Sequence, residues 1–206
     1  LGCGTGRWAK SVAPKVKSLI CIDPSNALDI AKKNLSNFDN CEFYSATVDE
    51  IPMEDNSMDF GYSLGVLHHV PDTALGIKQC VDKLKHGAPF LLYLYYRFDN
   101  RPLWFRFIWH LTDLLRRVIS KMPYGLRYFS SQIIAFFVYF PLARMAFLIE
   151  KLNIDVSNFP LNSYKNLSFY TMRTDAIDRF GTRLEQRFTR DEIKQINTKP
   201  ILIKIS

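Results

Sequence analysis

Leu1-Gly2-Cys3-Gly4-Thr5-Gly6 opens the chain, ahead of a segment, 7–16, that reads as helix until Pro14. Glycine at every second position behind an apolar Leu1 predicts a strand running into a tight turn, where missing side chains let a ligand approach the backbone. A dinucleotide turn of the G-x-G-x-x-G type would need glycine at position 7, and Arg7 stands there, so the pattern is G-x-G-x-G. A short apolar stretch, Leu19-Ile20-Cys21-Ile22, follows and ends in Asp23. A carboxylate about 20 residues beyond a glycine turn is where a doubly wound fold places its ribose acceptor. Two strand ends are therefore expected to converge on one nucleoside.

Further blocks lie downstream: Cys21-Ile22-Asp23-Pro24-Ser25, Ala46-Thr47-Val48-Asp49-Glu50-Ile51-Pro52-Met53, and Asp59-Phe60-Gly61-Tyr62-Ser63-Leu64-Gly65-Val66-Leu67-His68-His69-Val70-Pro71-Asp72. With the opening turn, these resemble in order and spacing the class I S-adenosylmethionine-dependent methyltransferases, in their type 11 branch. The match covers about the first 96 residues. The resemblance implies a doubly wound Rossmann-like α/β fold with a mostly parallel sheet, and S-adenosylmethionine as cofactor. It also implies that most of the first strand precedes Leu1, together with an acidic residue for the methionine ammonium. Gly2, Cys3, Gly4, Gly6, Asp23, Pro24, Thr47, Val48 and Leu64 are the implied cofactor-binding positions. Thr47-Val48 stands where the family carries Asp-Ala for the adenine; a threonine hydroxyl is a weaker acceptor than a carboxylate, while the Val48 backbone amide is unaffected.

Along the chain, 26–35 reads as helix, 41–44 as a third strand, 58–63 as a fourth, 72–84 as an amphipathic helix and 90–96 as a fifth strand buried on both faces. Residues 63–69 cross the carboxyl end of the fourth strand, where open α/β sheets bind ligands. Adjacent histidines on an extended segment point opposite ways and no second Cys/His cluster completes a metal site, so no metal is expected. His69, Tyr95 and Tyr96 are the candidate proton acceptors, with packing over the cofactor as the alternative use of the histidines.

The core is then interrupted. Residues 103–119 form one amphipathic helix, with Trp104, Phe107, Ile108, Leu111, Leu114, Leu115 and Val118 on one face and Arg106, His110, Asp113 and Arg117 on the other. A second helical stretch, 131–152, is apolar nearly all round and is interrupted by Pro141. Its uncharged part, 130–143, falls short of the roughly 18 to 20 apolar residues that span a bilayer, so it reads as buried. Two accounts of the insert stay open: a cap over an apolar acceptor cavity, or an element resting on anionic lipid. Residues 97–151 carry nine basic and three acidic side chains, most of the net charge of +7. Residues 159–170 read as a loop returning to the fold. By the resemblance, the charged segment after it closes over the acceptor, which makes Tyr170, Asp175, Asp178, Arg179, Arg183 and Glu185 acceptor-side candidates; surface ion pairing is the alternative. Thr189 and Glu192 form a capping box for a helix over 190–196, and 201–205 reads as a sixth strand.

The expected organisation is thus a core over 1–96, a helical insertion over 97–170 and a return to the core over 171–206. Four scattered cysteines without a C-x-x-C pair predict reduced thiols in a cytoplasmic protein. On the second account of the insert, peripheral membrane contact runs through 103–152. The expected activity is methyl transfer to a small-molecule or lipid-like acceptor. A non-catalytic nucleoside-binding module that docks on a membrane or protein is the alternative. Nucleic acid is a poor fit, because basic residues alternate with large aliphatics on helices and no N-P-P-type base-extruding motif follows the fourth strand.

Overall fold

A computed structural model describes residues 1–99, 101–196 and 202–203. The chain forms two compact units, Leu1–Asp99 with Leu184–Ser206, and Asn100–Arg183. The first unit contains α1 (Ala9–Val12), β1 (Leu19–Ile22), α2 (Ala27–Asn34), β2 (Cys41–Tyr44), β3 (Gly61–Leu64), α3 (Thr73–Asp82) and β4 (Phe90–Tyr93). The second contains α4 (Leu103–Ile119), α5 (Tyr124–Ile134), α6 (Phe140–Lys151) and α7 (Phe169–Gly181), after which α8 (Arg190–Ile196) and β5 (Leu202–Ile203) belong to the first. Of the expected sixth strand, Ile201, Lys204 and Ile205 lie outside the described residues.

Every strand pair is parallel: β1 with β2, and β3 with β4 and β4 with β5. Leu1–Cys3 joins the two sheets. The Leu1 nitrogen donates to the Tyr62 carbonyl at 2.9 Å, and the Gly2 and Cys3 amides donate to the Ile22 carbonyl at 2.7 and 3.2 Å. Parallel strands need crossover helices, and the apolar sides of those helices cover the sheet. Leu67, Ile77, Leu84, Phe90 and Leu92 pack one core; Ala9, Ala13, Leu19, Cys21 and Leu35 pack another. The fourth strand begins at Gly61 rather than Met58, which makes only an isolated bridge to Leu84, and β4 ends at Tyr93, short of Tyr96. The four cysteines are unbridged.

The helical unit departs from expectation in three ways. First, its boundary falls at Arg183 rather than 170, because Met172, Ala176 and Phe180 of α7 pack with Ile119, Ala135, Tyr139 and Ala143. Second, Pro141 interrupts nothing. A π-helical segment, Ala135–Tyr139, joins α5 to α6, and the Phe140 amide bonds back to Ala135 five residues earlier, so the hydrogen-bond ladder is already shifted where proline lacks a donor. Third, the stretch read as buried is exposed. Tyr124–Lys151 is long and apolar enough to cross a membrane by length and composition, yet only 22% of its most apolar 18-residue window is buried. Small residues, Ser131, Ala135, Ala143 and Ala146, face inward, and Phe136, Phe137 and Leu148 face out.

Helix α4 repeats this inversion. Its apolar face is outward, with Phe107 at 70% and Leu103 at 79% exposure, while Asp113 and Arg116 are buried. The Arg116 Nε donates to Asp113 Oδ1 at 2.8 Å, and its Nη1 donates to the Thr182 carbonyl at 2.9 Å. Burial pushes the Asp113 carboxyl up, but Arg116 and Arg117 outweigh it and hold the group below its ordinary value.

Candidate functional site

The glycine turn sits at the carboxyl ends of β1 and β3. Its three glycines all have left-handed backbones, with φ of 70°, 51° and 83° at Gly2, Gly4 and Gly6. A Cβ on Gly2 would lie 2.2 Å from Val66 Cγ2, whereas one on Gly4 would meet nothing within 4 Å. Gly2 is thus needed for packing under the turn, and the backbone at Gly4 is open.

Asp23 ties this turn to the start of α2. Its Oδ2 accepts the Gly4 amide at 2.8 Å; its Oδ1 accepts the Ser25 amide at 3.0 Å and the Ser25 hydroxyl at 2.6 Å. Two carboxylate oxygens offer about four acceptor positions, so one on Oδ2 is left over. Of the other candidates, Cys3 and Leu64 are half-buried, Pro24 and Thr47 are exposed, and Val48 is buried in the core. Thr47 opens a 3₁₀ turn, Val48–Glu50, without a side-chain capping bond.

Three distant segments meet beyond β3. Residues 63–69 supply Ser63 and His68, both completely buried; the Ser63 hydroxyl and both His68 ring nitrogens have no hydrogen-bond partner among the described residues. Residues 95–98 follow β4: the Tyr95 ring stacks on His68 at 3.8 Å between centroids, and the Tyr96 ring meets Phe98 edge-on. The return segment supplies the third side. The Phe188 amide donates to the Tyr95 carbonyl at 3.0 Å, and the Arg97 amide to the Phe188 carbonyl at 3.1 Å. Glu185 and Arg187 form a buried ion pair at 2.8 Å, and the Arg187 guanidinium lies 5.0 Å from the Tyr95 ring and 4.9 Å from Phe98.

His69 Nδ1 is 2.7 Å from the Leu184 carbonyl. A carbonyl only accepts, so in the neutral ring the proton is on Nδ1 and the lone pair is on Nε2. His68 is different: burial, and then the charges of His69 and Arg187, push its pKa down to about 3. Folded His68 therefore stays neutral where an unfolded histidine gains a proton near 6.5. The stability it contributes is complete above that pH and is lost as pH falls toward 3. Urea unfolding is expected to show about 2 kcal/mol lost between pH 6.5 and 5, and His68→Phe should flatten that slope. A slope equal in both proteins would assign the pH dependence to another group.

Glu185 alone of the acceptor-side candidates belongs to the core unit. The rest are in the helical unit, where Asp175 accepts from the Tyr164 hydroxyl, Arg179 donates to Thr112 Oγ1 at 3.3 Å and Arg183 to the Ser120 carbonyl at 3.4 Å. Tyr170 is exposed and Asp178 lies on the outer side of α7. Ser63 falls within the 63–69 segment expected at the ligand end of the sheet. Arg187 is not one of the expected positions, because in the sequence it is one charge among many in a dense run. A cavity of about 540 Å³ lies at the amino ends of β1 and β3 between Leu19, Ile20, Phe60, Tyr62 and Phe90. Among the described residues no cluster of His, Cys, Asp and Glu could hold a metal ion.

Residues 1–92 match the family model of a methyltransferase domain. Curated relatives include the demethylmenaquinone methyltransferases of Staphylococcus aureus strains JH9 and Newman, each 31% identical over 91 residues. That alignment covers 42% of this chain and 37% of the relative's length, so the chain spans little more than a third of it. Among solved structures, a SAM-dependent methyltransferase from Methanosarcina mazei is 25% identical with a TM-score of 0.46, covering 53% of this chain and 57% of that one. One from Aquifex aeolicus is 19% identical with a TM-score of 0.39, over 41% and 48%.

Proposed function

We propose, from the match of residues 1–92 to the family model of a methyltransferase domain, that this protein moves the methyl group of S-adenosylmethionine to a small or lipid-like acceptor. One observation carries the reading: the glycine turn is bonded through Gly4 to Asp23, at the strand ends where Ser63 and His68 hold buried polar atoms without partners. These residues fit the cofactor. Gly4 leaves backbone open to a ligand, Asp23 keeps an acceptor position for a sugar hydroxyl, and the orphaned atoms want hydrogen bonds.

When bound, the sulfonium supplies an already activated methyl group, so positioning and exclusion of water are the chain's main contributions. Asp23 and the turn hold the nucleoside side. Tyr95 and Phe98, covered by Arg187, shield the carboxyl end of β4. For an acceptor that loses a proton, His69 Nε2 is the group assigned to take it, since Leu184 fixes the tautomer. The acceptor named for the Staphylococcus aureus relatives, demethylmenaquinone, supports the lipid-like choice.

The test has two arms. Titration calorimetry with S-adenosylmethionine and S-adenosylhomocysteine should show saturable binding, and His69→Asn, which keeps a donor toward Leu184, should bind both unchanged. Label from methyl-labelled S-adenosylmethionine should enter an organic-solvent extract of cells, and His69→Asn should slow it about 100-fold or more. Absence of cofactor binding would overturn the assignment. Label entering at an equal rate in the variant would remove His69 from the chemistry.

A further inference from the structure

The helical unit puts its apolar surface where water should be and its charges where apolar residues should be. On α4, one residue per 100° sets Leu103, Phe107, Leu111, Leu114 and Val118 within one outward face, all of them exposed. Arg106, His110 and Arg117 follow along one border of that face, and the buried side holds the Asp113–Arg116 ion pair. On Tyr124–Lys151, small side chains pack inward and bulky apolar ones point out, Phe137 at 67% exposure. Turning small residues inward is how helices pack when the medium around them is itself apolar. Helix α7 completes the unit with an ordinary face: Met172, Ala176 and Phe180 inside, Thr171, Thr174 and Asp178 outside.

Charge identifies the medium. Residues 100–183 contain twelve Arg and Lys against five Asp and Glu, while the remaining residues contain fifteen of each, so the whole net charge of +7 belongs to this unit. No ion-pair partner is found for Arg106 or Lys121 among the described residues. An exposed apolar helix face with Arg106 on its border and Lys121 just beyond its end, neither of them ion-paired among the described residues, is complementary to a surface with acyl chains beneath anionic headgroups.

We propose that Asn100–Arg183 is a monotopic membrane-binding unit, whose outward faces of α4 and α5–α6 seat in the headgroup–acyl boundary of an anionic bilayer. The unit lies in one leaflet and does not span. Only sixteen uncharged residues separate Arg127 from Arg144, about 24 Å of helix against a hydrocarbon core of about 30 Å. Arg144 is held by the Lys165 and Leu167 carbonyls, and a full crossing would take α7, with Arg173, Asp175 and Arg179, into hydrocarbon. The inference is independent of methyl transfer.

Sedimentation of the full chain with vesicles tests it. Vesicles of phosphatidylcholine with phosphatidylglycerol should bind at least about tenfold more tightly than phosphatidylcholine alone, and the difference should shrink with added salt. Phe107→Asp with Leu111→Asp should reduce binding by about tenfold or more, with circular dichroism unchanged. Should that variant misfold, Arg106→Gln with Lys121→Gln replaces it; each lost cation should weaken anionic-vesicle binding about fivefold and leave neutral-vesicle binding alone. Trp104, on the outward face, should shift its fluorescence to the blue on anionic vesicles, a shift that Trp104→Phe removes. Equal binding to both vesicle types, binding to neither, or retention in the membrane pellet after alkaline carbonate washing would each overturn the proposal, the last in favour of a spanning helix.

Discussion

Gly2→Ala is expected to destabilise the protein by about 3 kcal/mol in urea unfolding, from about 1–2 kcal/mol of left-handed backbone strain and about 1–3 kcal/mol of overpacking. The strain follows from φ of 70° at Gly2, and the overpacking from Val66, whose three nearest side-chain atoms stand 2.2 to 2.8 Å from where the new methyl would lie. Both parts are separable. In Gly2→Ala with Val66→Gly, which removes all three clashing atoms, the clash is gone and the strain stays, so the double variant should recover about half of the loss relative to Val66→Gly alone. Cofactor affinity should fall with the first variant, because the turn that presents Gly4 is the element displaced. A Gly2→Ala protein as stable as the wild type would mean that the turn has room this geometry denies it. Gly4→Ala offers the contrast: it has similar strain without a clash, so its effect on stability should be smaller.

Asp23→Ala is expected to remove about 3 kcal/mol of stability and to lower affinity for S-adenosylmethionine by about 10- to 100-fold. The first effect arises because one carboxylate accepts three hydrogen bonds, from Gly4, from the Ser25 amide and from the Ser25 hydroxyl, and the substitution takes the acceptor from all three donors at once. The second arises because the same group sets the turn and keeps a free acceptor position. Asp23→Asn separates them: its amide oxygen can still serve Ser25, but its amino group would face the Gly4 N–H donor to donor. The Asn protein should therefore be closer to wild type in stability than in affinity. Calorimetry showing cofactor affinity intact in the Ala variant would count against the site itself, whereas a stability loss alone would leave Asp23 as a structural staple of the turn.

Local signals in this chain were read well where a short stretch answers its own hydrogen-bonding needs. Thr189 and Glu192 form the expected reciprocal cap: the Thr189 amide donates to Glu192 Oε2 at 2.7 Å, and the Glu192 amide to Thr189 Oγ1 at 3.2 Å. The bounds of α4 at 103 and 119 are those of its apolar period. Pro141 misled because its rule assumes an i to i−4 ladder, and the π-helical segment before it had already changed that register. The 175–181 stretch, rich in charge, is helical because α7 has Met172, Ala176 and Phe180 four residues apart to bury.

By itself, the sequence determined that a tight glycine turn precedes the strand of Leu19–Ile22, that an acid follows at the distance of a second strand end, and that parallel strands alternate with helices. Each of these depends on spacing along the chain or on the backbone freedom of particular glycines. Only the tertiary structure decided that Asp23 bonds Gly4, that Ser63 and His68 are buried without partners, and that Glu185 and Arg187 return from far down the chain to Tyr95. It also decided which side of α4 faces out. Periodicity shows that a helix has two faces, but the choice of which one is covered depends on what packs against it, and here the packing partner is α7 and the covered groups are Asp113 and Arg116.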